Sequence, residues 1–128
     1  MKILFFDDDI KRHKKFSRGV IGHKVTFVFN VSDAIKALNE EIFDVIYLDH
    51  DMLPGIHQEP GSETGWAVAQ HIAKLPREQF PLSVIVHSYN RKAAELMTRH
   101  INKAGIRCVS RMFNTESAAF FKEIRRFD

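Results

Sequence analysis

Two short runs concentrate the chemistry: Asp7-Asp8-Asp9 and Asp49-His50-Asp51. Each follows an apolar run, Ile3 to Phe6 in the first case and Val45 to Leu48 in the second. Short apolar runs rich in β-branched and aromatic residues suit strands buried on both faces. Acids at the ends of two such strands are hard to explain as packing. Carboxylates held about 4 Å apart repel by roughly 4 kcal/mol at an effective dielectric near 20. They must therefore bind protons or a cation. With oxygen donors from Asp7, Asp8, Asp49 and Asp51, the expected ion is Mg²⁺, which retains waters and leaves room for a substrate phosphate. A ligand from His50 or His87 would move the choice toward Mn²⁺. Asp49 has two possible tasks, nucleophile toward a phosphoryl group or metal ligand. Asp51 shares a face with Asp49 if the strand continues, and otherwise bends away with the loop.

A third run, His87-Ser88-Tyr89-Asn90, closes another apolar stretch, Leu82 to Val86. His87 can act as general acid, general base or ligand, or lie buried and hydrogen-bonded. Ser88 can donate to a phosphate oxygen. Asn90 can cap a helix, serve the site, or both. His50 is the best of the remaining histidines. His57 is weak, and His71 follows Gln70 on an outer helix.

The elements that must position these residues alternate along the chain. Strands are expected at 2–7, 23–29, 43–49, 82–88 and 106–110. Asp9 caps a basic helix over 10–18, with Ile10 and Phe16 inward; Gly19 and Gly22 end it. Ser32 or Asp33 caps a helix carrying Ala34, Ile35, Ala37 and Leu38 on one side. Thr64 caps a helix over 65–75, stopped by Pro76, with Trp66, Ala69, Ile72 and Ala73 toward the sheet. Trp66 reads as core rather than as a base-stacking residue. Asn90 opens a helix with Ala93, Met97, Ile101 and Ala104 at near-helical spacing, closed by Gly105. Asn114 or Thr115 caps the last, with Phe120, Phe121, Ile124 and Phe127 inward. The irregular stretch from His50 to Glu63, with Pro54, Gly55, Pro60 and Gly61, is long enough to be functional or mobile.

Five strands alternating with five helices define an α/β fold, a three-layer doubly wound parallel sheet. The order expected for five strands is 2-1-3-4-5. That order sets the first and third strands side by side and gathers Asp7, Asp8, Asp49 and Asp51 at one end. The 128 residues are read as one domain, 1–128, with 45% hydrophobic and 27% charged residues and a net charge of +3. The basic residues look scattered rather than clustered, so a nucleic-acid footprint is possible but is the lesser expectation. The single Cys108 excludes an internal disulfide. No segment approaches the roughly 20 apolar residues of a membrane span, and no signal peptide is apparent, so a cytoplasmic location is expected.

The four landmarks, taken in order, resemble a response-regulator receiver domain (CheY-like). Ile3-Leu4-Phe5-Phe6-Asp7-Asp8-Asp9 resembles the acidic-pair strand, and Asp44-Val45-Ile46-Tyr47-Leu48-Asp49 the phosphoacceptor strand. Ser88 stands where receivers carry Thr or Ser, and Ser110-Arg111-Met112-Phe113 where they carry Lys-Pro-Phe. Arg111 departs from the family Lys and Met112 from the Pro. Asp51 is an additional acid, and the segment after Asp49 is longer. Leu48-Asp49-His50-Asp51-Met52 paired with His87-Ser88-x-Asn90 is more similar to the divergent cyclic-phosphate-processing receiver domains. That resemblance implies a divalent-metal-dependent phosphohydrolase or phosphodiesterase. Asp49, His87, Ser88 and Arg111 would be catalytic, and Ser88, Asn90 and Arg111 would hold phosphate. The guanidinium of Arg111 is always charged and reads oxyanions bidentately. Lys11 and Arg12 could also attract phosphate, though a solvated helix face is the simpler expectation for both.

Three functions follow. The preferred one is processing of a phosphate-ester small molecule or of a cyclic-phosphate nucleotide or RNA end. The second is a single-domain signalling receiver phosphorylated on Asp49 by a histidine kinase or phosphotransfer protein. The third is a binding module without chemistry. No DNA-binding output segment is expected, and a transcription factor is disfavoured.

Overall fold

The computed structural model describes residues 1–52 and 58–126. The expectations for Pro54, Gly55, His57 and Phe127 lie outside these residues. Five strands form one parallel sheet: β1 (Lys2–Phe6), β2 (Lys24–Val28), β3 (Val45–Leu48), β4 (Ser83–Val86) and β5 (Cys108–Ser110). Their order is β2-β1-β3-β4-β5, as expected from the sequence. The helices are α1 (Ile10–Gly19), α2 (Val31–Glu40), α3 (Gly65–Ala73), α4 (Arg91–Lys103) and α5 (Lys122–Arg126). None of the described helices is long and apolar enough to cross a membrane.

Alternation along the strands splits the core into two layers. Leu4, Phe6, Ile46, Leu48, Val84 and Val86 pack with α2, α3 and α4. Ile3, Phe5, Val45, Tyr47 and Ile85 face the other way, with Phe16 of α1, Phe120, Phe121 and Ile124. Trp66 packs against the first layer, its ring edge-on to His100 at 4.9 Å.

Several boundaries differ from the sequence expectation for identifiable reasons. In α1 the inward residues are His13 and Phe16, while Ile10 is 52% exposed. His13 turns inward because its Nε2 donates to the Asp7 carbonyl at 2.7 Å, a bond invisible to apolar periodicity. Asn30, not Ser32 or Asp33, caps α2, its Oδ1 accepting from the Asp33 amide. The last helical segment starts later than Asn114. Ser117 caps a 3₁₀ turn over Ala118–Phe121 that runs into α5. Glu123 of α5 is buried, where Arg107 holds it with two 2.9 Å bonds and the Ser83 hydroxyl donates to it.

The hydrogen-bond ladder runs one residue past the strand ends. Asp7 N donates to Val28 O, Asp49 N to Phe6 O, His87 N to Leu48 O and Arg111 N to Val86 O. Four residues singled out from sequence are thereby held in register along the C-terminal edge of the sheet.

Candidate functional site

The alternation that sorts the core continues into this edge. Asp7 follows Ile3 and Phe5, Asp49 follows Val45 and Tyr47, and His87 follows Ile85, so these three turn toward the α1 side. One ligand atom from each lies within 4.8 Å of the others. The His87 ring stacks on Phe5, with centroids 5.1 Å apart and planes 2° apart. Its Nε2 lies 2.9 Å from Asp7 Oδ2. An ionised carboxylate only accepts, so Nε2 carries the proton; Nδ1 is buried with no partner among the described residues.

The centre of the cluster is Arg12. Its Nε donates to Asp7 Oδ2 at 2.7 Å and its Nη2 to Asp7 Oδ1 at 2.8 Å. The same Nη2 reaches Asp8 Oδ1 and Asp49 Oδ2, each at 3.4 Å. Asp9 completes the ring, 3.5 Å from Nη1, while capping α1 through the Lys11 amide. The sequence favoured a solvated face for Arg12. Its role as a common counterion arises because α1 crosses above the strand ends, a tertiary fact with no local signal.

The three acids respond differently. Burial alone would raise Asp7, but bonds from His87 and Arg12 outweigh it and hold its pKa well below the usual carboxylate range. Burial, followed by the charge of Asp7, raises Asp8. Burial, with Asp7 nearby, pushes Asp49 up to about 7 against the opposing influence of His87 and Arg12. Arg12 is held above its ordinary value because Asp7, Asp49 and Asp9 together overcome its own burial.

These differences decide which residues suit a cation. Asp7 already accepts four hydrogen bonds, from the Asp9 amide, Arg12 Nη2, Arg12 Nε and His87 Nε2. Its acceptor capacity is spent. Asp8 Oδ2 is buried and has no partner among the described residues. Asp49 Oδ1 takes the His50 amide at 2.8 Å, leaving Oδ2 with only the long Arg12 contact. Spare acceptor capacity thus sits on Asp8 and Asp49, and hard oxygen donors of this kind fit Mg²⁺ or Mn²⁺. Recruiting Asp7 and His87 instead would cost Asp7 two of its partners.

Asp51 is not drawn into this cluster. Strand β3 ends at Leu48, so the face-sharing that period two would give Asp51 lapses. Its Oδ1 lies 2.8 Å from His50 Nδ1 and accepts from the Gln58 amide at 2.9 Å and Asn90 Nδ2 at 3.2 Å. Asn90 also donates to Gln58 O and accepts from the Ala93 amide as the cap of α4. Asp51 and Asn90 therefore clasp the segment after β3 to the start of α4. His50 is fully buried, with Nε2 unpartnered among the described residues. Ser88 is buried at the edge, its Oγ accepting the Asn90 amide. Arg111 points its Nη1 at the neighbouring Ser110 carbonyl, and no acid among the described residues pairs with it. His71 stays on the outside, bonded to Asn39.

Gly65 fixes the height of Asp49. A Cβ there would meet Asp49 O at 1.9 Å and His50 Cα at 2.9 Å, and the Gly65 amide donates to His50 O. Only glycine lets α3 approach this strand end so closely.

A parallel sheet of this order, with an acidic pair after β1 and a further acid after β3, is that of a receiver domain. Residues 2–103 match the family model of the cyclic-phosphate processing receiver domain, and the chain belongs to that family. Among solved structures, the response regulator TrrA from Thermotoga maritima, in complex with Mg²⁺-BeF, has a TM-score of 0.69 at 20% identity. That match covers 99% of this chain and 98% of the other. A CheY-like receiver domain from Methanospirillum hungatei has a TM-score of 0.66 at 16% identity, over 98% and 91% of the two chains. The response regulator DrrB from Thermotoga maritima, an OmpR/PhoB homolog, is 26% identical with a TM-score of 0.65. The match covers 98% of this chain, which spans about half, 51%, of the DrrB chain. No curated protein sequence matches the chain.

Proposed function

We propose that this chain processes phosphate esters at the acidic edge of its sheet, with a divalent cation held by Asp8 and Asp49, and that its substrate is a cyclic phosphate. The observation that carries this reading is the buried, unpartnered Oδ2 of Asp8 beside an Asp49 that Arg12 only weakly satisfies. Family membership supports the cyclic phosphate, and TrrA, a protein of the same fold in complex with Mg²⁺-BeF, supports the choice of a divalent cation. Bound there, a divalent cation would polarise a phosphoryl oxygen.

The chain's own residues supply the rest. Arg12 is the nearest permanent cation and would bind a phosphoryl oxygen once the ion has taken over Asp8 and Asp49. Ser88 sits at the same edge and can donate to the ester. His87 is a positioning residue: buried behind Asp7, it holds the carboxylate that holds Arg12. Arg111 would reach the phosphate only by leaving the Ser110 carbonyl. Asp51 and Asn90 order the segment flanking Asp49.

The test is incubation with Mg²⁺ or Mn²⁺ and either 2′,3′-cyclic nucleotides or acetyl phosphate. Metal-dependent ring opening, lost in Asp8→Asn and Asp49→Asn, is the expected result. A stable adduct of one phosphoryl mass on Asp49 without turnover would instead make the chain a signalling receiver served by a histidine kinase or phosphotransfer protein. Neither product would leave a binding module.

A further inference from the structure

Beside the acidic edge, α1 and the segment after β5 enclose an open groove of about 480 Å³. One wall carries Lys11, Arg12, Lys15 and Arg18, together with Asp9, which is paired with Arg12. Over its ten residues α1 contains five Lys or Arg and no acid, so the charge that looks scattered in sequence is focused here. Lys11, Lys15 and Arg18 are exposed, and no carboxylate among the described residues pairs with them. The opposite wall includes Tyr89, Phe113 and Glu116. Tyr89 is 49% exposed, yet its hydroxyl is tied to the Phe113 carbonyl at 2.9 Å. Phe113 in turn packs on Phe120 and His87. An exposed ring with a fixed orientation costs little to order when a flat partner stacks on it.

We infer that this groove binds single-stranded nucleic acid, with its phosphates along Lys11, Lys15 and Arg18 and a base on Tyr89. Lys11 to Arg18 spans about 10 Å of helix axis, close to three stacked nucleotides at about 3.4 Å each. A cationic track interleaved with an aromatic platform is the general form of sequence-tolerant single-strand binding. Arg12 belongs both to this groove and to the acid cluster, so a strand lying here would deliver its end to Asp8 and Asp49. The inference thus deepens the phosphate-ester reading and rests on it for the fate of that end.

Binding can be tested apart from catalysis. Fluorescence anisotropy of the full chain with a short labelled single-stranded RNA bearing a 3′-hydroxyl, in chelator and about 50 mM salt, should show saturable binding. Lys15→Glu and Arg18→Glu should each weaken it about 5-fold or more and flatten the salt dependence by about 0.7 in log–log slope. Tyr89→Ala should weaken it about 5-fold or more. Lys14→Glu makes the same charge change on the same helix but outside the groove, and should change affinity less than about 2-fold. Absence of binding by the unmodified chain overturns the inference and leaves the groove to an acidic protein partner. An equal effect of Lys14→Glu and Lys15→Glu also overturns it, since the attraction is then diffuse. RNA binding without metal-dependent turnover would sink the phosphate-ester reading alone. Turnover of a cyclic mononucleotide without RNA binding would sink the groove alone.

Discussion

Asp7 and Asp49 lie at the ends of adjacent strands, yet their side chains do opposite things to the fold. Asp7 is the anchor: both oxygens are saturated, by Arg12, His87 and the Asp9 amide. Replacing it by Asn puts an amide NH₂ where an acceptor is needed and strands a buried imidazole and a guanidinium. Asp7→Asn should therefore cost about 3 kcal/mol in urea unfolding at neutral pH. Its folded pKa is depressed, so the stability it adds is complete above the ordinary carboxylate value of about 4. It is lost as pH falls through the lower folded value, and the variant should show a shallower acid limb. Asp49 has the opposite sign. Burial raises it to about 7, so above about pH 4 an unfolded chain has released a proton that the folded chain still holds. Its contribution is most favourable below that pH and declines as pH rises toward 7. In metal-free buffer, Asp49→Asn should be more stable than the unmodified chain by roughly 1–3 kcal/mol at pH 7.5, with the difference vanishing near pH 4. A variant that is less stable at pH 7.5 would show that Asp49 is satisfied without a cation.

At the scale of elements, the contact between the end of β3 and the start of α3 sets where Asp49 stands. The Cβ of Gly65→Ala would collide with the Asp49 carbonyl, a backbone atom that cannot swing aside. The substitution should destabilise the fold by about 3 kcal/mol and weaken metal binding through displacement of Asp49. Urea melts and metal titration of the same variant check both. Unchanged metal affinity would mean that the site tolerates movement of α3. Much of this layer was legible in the sequence. Buried parallel strands read as continuous apolar runs, which located β1, β3 and β4. Asp9, Thr64 and Asn90 announced three helix starts, and each caps the helix that follows. The failures occur where tertiary contacts decide. The sequence leaves Asp51 between sharing a face with Asp49 and bending away with the loop; the strand stops at Leu48, and Asp51 takes the second course as a clasp for the next segment. Ile10 looked like core by type, whereas His13 took the inward place by bonding the Asp7 carbonyl. Glu123 drew no reading from the sequence, because Arg107 and Ser83, which enclose it, come from other elements.

For the whole molecule, the topology gathers acid at one edge of the sheet and then lays a basic helix across it. The sheet order placed Asp7, Asp8 and Asp49 together, and that much followed from strand count and crossover rules. The electrostatic balance did not, because it depends on the single guanidinium of Arg12 and on how it is shared: tightly with Asp7, loosely with Asp8 and Asp49. The edge is thus under-neutralised where Asp8 and Asp49 stand, while the adjoining groove is over-supplied with positive charge. A cation on the first and a phosphate ester between the two would relieve both.

Calorimetric titration of Mg²⁺ and Mn²⁺ into the chain and into its Asp8→Asn, Asp49→Asn and Arg12→Gln variants addresses the cation directly. One ion should bind the unmodified chain, raising its stability by about 2.7 kcal/mol at 100-fold the dissociation constant. Binding should disappear in Asp8→Asn and Asp49→Asn, and it should tighten about 10-fold in Arg12→Gln, where the competing guanidinium is gone. If neither ion binds even after Arg12 is removed, the acids are a structural network closed on itself, and the cation site at this edge does not exist.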